Sequence, residues 1–141
     1  MPRMRRDTGE IRARLAGTGQ RVTAARVQVL AALEQADRAL SHPEIESRLG
    51  AAGPDRVTLY RVLDWLVGQG LAHRASGSDR VWRFSIAGGG HERHGHFECS
   101  RCGKVVCLDK LRTDKLPLKM PRGYRPDEVG LTVRGRCARC A

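Results

Sequence analysis

Four of the chain's five cysteines stand in two Cys-x-x-Cys pairs, and this spacing suits metal binding. The pairs are Cys99 with Cys102 and Cys137 with Cys140. Two thiolates on one tight turn can bind the same ion, so two such turns supply a tetrahedral four-sulfur site, which is typical of structural zinc. Two disulfides or four buried thiols are the alternatives, but no secretory signal or apolar span is evident, and cytoplasmic thiols stay reduced. The pattern therefore predicts a structural zinc site, a cytoplasmic location and no membrane partner.

The residues before the cysteines have the periodicity of helices followed by a hairpin. Hydrophobic residues recur at helical spacing after capping residues, of which Thr23, Asp55 and the capping box begun by Ser41 are the clearest. Two short runs of strand character flank a Ser-Gly-Ser-Asp turn. This order is that of a winged helix-turn-helix. Helices are predicted over 8–15, 24–36, 42–49 and 56–69, and strands over 71–75 and 81–86.

A run of three glycines after the hairpin marks a boundary between two predicted domains. Glycines lose more backbone freedom on ordering than any other residue, so Gly88–Gly90 is not expected to form regular structure. Beyond this run, strands are predicted over 96–99, 104–108 and 129–133, and a short helix over 109–116. We therefore predict a winged-helix domain over 1–86, a hinge over 87–93 and a metal-stapled α/β domain over 94–141.

The chain is strongly basic, with 26 Lys and Arg against 15 Asp and Glu and a net charge of +11. This balance favours a nucleic-acid partner, although it also fits a solvated basic surface. Thr58, Tyr60 and Arg61 lie on the fourth predicted helix, where they could contact base edges or phosphate in the major groove. The alternative is that Tyr60 belongs partly to the core and Arg61 to a solvated face. Phosphate contacts are also predicted around the start of the second helix, from Gln20, Arg21 and Arg26.

Several segments, taken in order, match one known family. They are Gly19–Arg26, Val57–Leu63, Gly95–Val105 and the terminal Cys-x-x-Cys pair. Together they resemble the ferric uptake regulator family. The resemblance implies an α+β protein with an N-terminal winged helix-turn-helix and a C-terminal α/β dimerisation domain stapled by the four-cysteine zinc site. It also implies a homodimer on double-stranded operator DNA and a second, regulatory metal near the hinge.

The implied regulatory site has candidate ligands among the histidines. His91, His94 and His96 follow the glycines, and alternate strand positions would place His94 and His96 on one side, where their imidazoles can share an ion. His73, on the first wing strand, could reach the same ion across the domain boundary. The alternatives are a hydrogen-bonded strand histidine for His73 and a polar loop for the cluster. His42, in a capping turn, is not expected to bind metal.

The chain departs from the iron-sensing pattern of the resembled family. Many iron sensors have a ligand histidine before the third helix and a ligand glutamate in the second wing strand, where this chain has Ala39 and Arg83. Where a ligand glutamate is common, Cys107 offers a softer donor that favours zinc over iron or manganese. Cys107 could equally be a buried apolar thiol. Zinc-sensing relatives often have a cysteine at about the place of Ser85.

We therefore predict a metal-responsive transcriptional repressor that binds operator DNA as a zinc-loaded dimer and controls metal-uptake genes. Neither catalysis nor a small-molecule substrate is expected. One alternative is an iron- or peroxide-sensing regulator of the same family. Another is a Cys/His enzyme using Cys107 with His94, which would lack an orienting acid and an oxyanion loop. A third, a zinc-ribbon interaction module without DNA binding, is disfavoured by the winged-helix pattern.

Overall fold

Each α-helix begins at a side chain that accepts a hydrogen bond from the first helical turn. The computed structural model describes residues 7–87, 94–127 and 129–141. Asp7 and Ser41 form full capping boxes, while Thr23 and Asp55 accept one backbone hydrogen bond each. The four helices predicted for the winged helix are confirmed to within one residue at each end, because these caps are local interactions between neighbouring residues. The helices are α1 (Thr8–Ala16), α2 (Ala24–Gln35), α3 (His42–Leu49) and α4 (Arg56–Gly68).

A three-stranded antiparallel sheet completes the winged helix. Its strands are β1 (Leu40–Ser41), β2 (Ala72–Ser76) and β3 (Trp82–Ile86), in the order β1-β3-β2. The predicted hairpin is therefore confirmed within one residue at each strand start. β1 was not predicted, because two residues are too short for a periodic signal. It forms because Leu40 is buried and pairs with Phe84 of β3.

A second three-stranded sheet carries most of the candidate ligands. Its strands are β4 (His94–Cys99), β5 (Val105–Arg112) and β6 (Thr132–Gly135), with β4 in the centre, antiparallel to β5 and parallel to β6. The helix predicted over 109–116 is wrong. β5 continues to Arg112, because main-chain pairing with β4 outweighs the weak local helical pattern, and a 3-10 turn follows at Thr113–Lys115. The strand predicted over 129–133 begins later than expected.

The main hydrophobic core lies between the helices and the first sheet. Burial of each large aliphatic side chain stabilises the fold by about 1.5–3 kcal/mol. This packing fixes the inner face of α4 and so determines which α4 side chains point outward. Within the described ranges, none of the helices has the length and apolar character needed to cross a membrane. The fully buried aliphatic residues are Leu15, Val29, Leu30, Leu33, Leu40, Ile45, Leu59, Leu63 and Leu66.

The winged helix contacts the second sheet directly at two places near β1. The backbone N–H of Ala39, just before β1, donates to the carbonyl of Val105 at 2.7 Å. Beside it, Lys104 Nζ lies 3.3 Å from Asp37 Oδ2. The first residue of β5 is thus hydrogen-bonded to the residue that immediately precedes β1.

A third contact joins the hairpin turn of the wing to β4. Glu98 is buried, and its Oε1 accepts hydrogen bonds from the backbone N–H and the hydroxyl of Ser78 at 2.9 and 2.6 Å. Arg134 Nε lies 3.5 Å from Oε2. The two Ser78 hydrogen bonds hold the pKa of Glu98 below its ordinary value of 4.5. The ionised carboxylate therefore contributes its full stabilisation at pH values above the ordinary pKa of 4.5. This contribution is lost as the pH falls through the lowered pKa of the folded protein.

Glu98→Ala is expected to lower the free energy of unfolding by about 1–3 kcal/mol at neutral pH, because two donors lose a charged acceptor. Urea denaturation of both proteins at pH 7 measures this difference. The difference should shrink when the comparison is repeated in acid, since the wild-type carboxylate is then protonated. Equal stability at pH 7 would contradict a role for this contact in docking the wing.

Candidate metal centres and nucleic-acid interface

The four predicted zinc ligands lie together at one end of the second sheet. Cys99 ends β4, Cys102 lies on the following turn, and Cys137 and Cys140 lie on the turn after β6. Their sulfur atoms all lie within 4.8 Å of one another, and those of Cys102 and Cys137 are 3.7 Å apart. A tetrahedron with Zn–S bonds of about 2.3 Å has edges of about 3.8 Å. The four free thiols therefore fit one tetrahedral zinc ion.

Backbone hydrogen bonds prepare one of these thiols for metal binding. The N–H groups of Cys102 and Cys137 point at Cys99 Sγ at 3.5 and 3.4 Å, and they lower the pKa of the Cys99 thiol to about 6. Cys99 is therefore ionised at neutral pH, which is the form that binds metal. A hydrogen bond with Cys137 instead raises the pKa of Cys140 to about 12. The Cys140 thiol must lose its proton to bind a metal ion, so the four-cysteine cluster releases protons when it binds zinc.

His94, His96 and Cys107 form a second group with metal-binding geometry. The alternation of β4 puts both histidines on one side, and Cys107 on β5 pairs with His96. One ligand atom from each residue lies within 4.8 Å of the others. Both ring nitrogens of His94 are buried without a hydrogen-bond partner among the described residues, which is unfavourable unless another group binds the ring. The nitrogen and sulfur donors of this group fit zinc.

The wing contributes two further side chains to this group. The His73 ring on β2 meets the His94 ring edge-on, with centroids 4.4 Å apart. On β3, Ser85 Oγ lies 2.9 Å from Cys107 Sγ, within hydrogen-bond distance. The structure thus brings together His73, His94, His96 and Cys107, whereas His91 lies outside the described residues. The group lies between the two sheets, and its binding of a regulatory metal stays a prediction.

The glycine between the two histidines lies close to a leucine side chain of β5. A Cβ atom added at Gly95 would lie 2.9 Å from Leu111 Cδ2. The strand register also shifts between His94 and Gly95, which marks a local bulge. A side chain at this position would therefore require the end of the Leu111 side chain to move, which costs little because that side chain is flexible.

A cavity of about 530 Å³ opens beside the histidines, and two of its lining residues were missed by the sequence analysis. These are Thr113, which is buried, and Asp127, on the irregular segment between β5 and β6. Neither belongs to a spaced motif, so only the tertiary structure shows that they lie near His73, His94 and His96. No signal in the sequence distinguishes Asp127 from the other acidic residues of the chain.

The two positions that depart from the iron-sensing pattern have structural contacts instead. Ala39 begins the connection to β5 through its backbone. Arg83 donates to both carboxylate oxygens of Asp79, at 2.9 and 2.7 Å, and this pair lowers the pKa of Asp79 to about 2. Neither side chain can supply a metal ligand, which agrees with the interpretation of these positions.

The predicted base-reading residues lie in the first two turns of α4. The apolar stripe of the helix faces the core, whereas Tyr60 is 52% exposed and Arg61 is also exposed. Thr58 is half-buried, and its backbone N–H donates to the capping carboxylate of Asp55. Val57 adds exposed apolar surface beside them. This face combines apolar, hydroxyl and guanidinium groups, which are the groups used to contact base edges.

The three predicted phosphate-binding residues before and within α2 differ in their exposure to solvent. Gln20 and Arg21 are exposed. The Arg26 guanidinium lies over the Trp65 ring, 3.7 Å from its centroid, and Nη1 donates to the Arg21 carbonyl at 2.6 Å. Arg26 therefore joins α2 to α4 through a cation–π contact. Its contact with phosphate stays a prediction.

The chain is similar to several known regulators. It is 27% identical over 124 residues to the zinc uptake regulation protein of Escherichia coli strain K12, covering 85% of this chain and 72% of that protein. The fold matches a zinc uptake regulator complexed with zinc and DNA, with a TM-score of 0.69 and 23% identity over 94% of this chain and 93% of the other.

The fold is also that of the Helicobacter pylori ferric uptake regulator, with a TM-score of 0.64 and 20% identity over 99% of this chain and 97% of the other. The model of the ferric uptake regulator family matches residues 17–134, which is most of the chain. The winged helix and the two candidate metal centres agree with this match, which covers enough of the chain to assign its family. The chain belongs to the ferric uptake regulator family.

Proposed function

We propose that this protein is a metal-responsive transcriptional repressor that binds operator DNA as a zinc-loaded homodimer and controls metal-uptake genes. The observation that carries the proposal is the position of the group formed by His94, His96 and Cys107. It contacts both strands of the wing, through His73 and Ser85, while its own residues belong to the second sheet. A metal site at that position is suited to controlling the orientation of the winged helix.

The side chains of the group explain how metal would influence DNA binding. A bound ion would supply positive charge and directional bonds to donors from both sheets. His73 lies on β2, which follows α4 after a short turn, so its position is tied to that of α4. Restricting the wing would therefore restrict the face that carries Tyr60 and Arg61. Without the ion, the buried nitrogens of His94 favour a looser arrangement of the two sheets.

Zinc is the proposed regulatory metal because of the donor set. Sulfur from Cys107 and imidazole nitrogens suit zinc better than iron or manganese. The E. coli relative is a zinc uptake regulation protein, and one structure with this fold contains zinc and DNA, which supports the same choice. The division into a DNA-binding domain (1–86), a hinge (87–93) and a dimerisation and metal-binding domain (94–141) is part of the same proposal. The end of β3 at Ile86 and the start of β4 at His94 support these bounds, and residues 88–93 lie outside the described residues.

A direct experiment tests this function. Zinc-loaded protein would be used to select duplexes from a random DNA library, and the best duplex would be labelled. Metal-depleted protein would then be titrated with zinc, ferrous iron or manganese beside this duplex. We expect zinc to produce the largest rise in affinity and a stoichiometry of two chains for each duplex. A response to ferrous iron alone would make the protein an iron sensor, and no selected duplex would contradict DNA binding.

The outer face of α4 gives the corresponding variants. Tyr60→Ala and Arg61→Ala are each expected to weaken binding to the selected duplex by about 1–3 kcal/mol, because each removes a proposed base or phosphate contact. Arg61→Ala should keep a thermal stability close to that of the wild type, since its side chain is exposed. Tyr60→Ala should lower the thermal stability slightly, because the Tyr60 ring also contacts the ring of His42. Asp64→Ala, on an exposed position further along α4, serves as the matched control. If both variants bind like the wild type, another surface reads the DNA.

A further inference from the structure

A stacked pair of aromatic rings joins α3 to the DNA-reading face of α4. The rings of His42 and Tyr60 have centroids 3.5 Å apart and planes only 22° from parallel. His42 is 8% exposed, whereas Tyr60 is 52% exposed. One face of the tyrosine ring thus lies against a buried surface, and much of the rest faces solvent. This pair was not anticipated from the sequence, because His42 and Tyr60 lie on different helices.

The position of His42 is firmly defined by its surroundings. It is the first residue of α3, immediately after the N-cap Ser41. Ser41 and Glu44 form a reciprocal capping box, with the Ser41 N–H donating to Glu44 Oε1 at 3.1 Å and the Glu44 N–H donating to Ser41 Oγ at 3.4 Å. Pro43 further restricts the backbone of this first turn. The histidine ring therefore provides a fixed platform.

Charged residues around the platform link the same two helices. Glu46 Oε1 accepts from Arg56 Nε, at the start of α4, at 3.1 Å, and lies 3.9 Å from His42 Nδ1. Burial lowers the pKa of His42, although Glu46 acts in the opposite direction. A neutral imidazole results at neutral pH, and its flat face can stack on a phenol ring.

An exposed tyrosine without such a platform would sample several side-chain rotamers. Binding DNA would then require one rotamer to be selected, and this loss of freedom would reduce the affinity. Stacking orders the ring before DNA arrives. A ring held at a fixed position also distinguishes bases better, because an apolar contact with a thymine methyl group depends on where the ring lies.

We propose that His42 is a positioning residue for DNA recognition, which holds the Tyr60 ring in its DNA-reading orientation without contacting DNA itself. This inference rests on the proposed function of α4 as the DNA-reading helix. It adds a specific role for a buried residue of α3. His42 would then affect both the affinity and the base preference of the protein through Tyr60 alone.

A double-mutant cycle tests this role with zinc-loaded protein and the duplex selected from the random library. We expect His42→Ala to weaken binding by about two- to tenfold, which is the range expected for one aromatic pair. His42→Ala should also reduce discrimination at the base pair that Tyr60→Ala affects. In the Tyr60→Ala background, His42→Ala should have no further effect. His42→Phe, which keeps a flat ring, should bind nearly as well as the wild type.

Proton NMR of the DNA-free protein tests the stacking of the two rings independently of the proposed DNA binding. The chain has two tyrosines, so the Tyr60 signals are identified by their loss in Tyr60→Ala. We expect the ring current of His42 to shift them upfield in the wild type and His42→Ala to remove this shift. A shift that survives His42→Ala, or additive effects of the two substitutions on DNA binding, would overturn the proposal. A confirmed ring pair in a protein that binds no DNA would instead contradict the function proposed for α4.

Discussion

Cys102→Ser is expected to abolish the cysteine-bound zinc and to destabilise the second sheet severely. The four sulfurs join the turn after β4 to the turn after β6, so the site closes the end of the sheet. Structural zinc binding contributes about 10–16 kcal/mol in small zinc-binding domains, and that free energy is coupled to folding. Because the second sheet belongs to the proposed dimerisation domain, the variant should also lose the dimer. Elemental analysis, light scattering and thermal denaturation measure the three effects.

The fifth cysteine provides the matched control for this prediction. Cys107 lies in the other group of ligands, so Cys107→Ser should keep one zinc ion per chain after mild chelation. The wild type should also keep this ion, since the four sulfur atoms already lie within 4.8 Å of one another and the site needs little rearrangement. A folded, dimeric Cys102→Ser protein without zinc would contradict a structural role for the site.

The double substitution of His94 and His96 by alanine is expected to abolish the zinc-dependent rise in DNA affinity. These residues supply two of the three ligand atoms that the second sheet brings together. The cysteine-bound zinc and the dimer should survive, because the four-cysteine cluster uses other side chains. The metal-free variant should stay folded, because the ring nitrogens of His94 are buried without a hydrogen-bond partner among the described residues and so supply no hydrogen bond to them. Anisotropy titrations with zinc and a labelled duplex measure the response.

Single substitutions measure how much each of the other residues of this site contributes to the zinc response. Cys107→Ser should weaken the zinc response less than the double change if its sulfur is one ligand among several. His73→Ala should uncouple zinc binding from DNA affinity, because it removes a wing residue and leaves His94, His96 and Cys107 in place. Isothermal titration of zinc into each metal-depleted variant separates binding from response. An unchanged response in the His94 and His96 double variant would exclude these histidines from sensing.

Interactions between neighbouring residues were accessible from the sequence. The helix starts at Thr23, Ser41 and Asp55 were predicted because an N-cap side chain bonds to a backbone N–H only a few residues away. The alternation that places His94 and His96 together is likewise a property of any β-strand. The four cysteines were recognised because their pairwise spacing already limits the chemistry.

Interactions between distant segments were decided only by the tertiary structure. β5 extends through Arg112, against the predicted helix, because its hydrogen-bond partners lie on β4. The contact between Ser85 and Cys107 depends on how the two sheets pack. The same is true of the stack of His42 on Tyr60, since α3 and α4 are separated along the chain. The sequence alone determined the helix caps and the metal-binding residue types, which depend on local geometry. Tertiary packing decided which residues meet, because long-range pairing has no local signature.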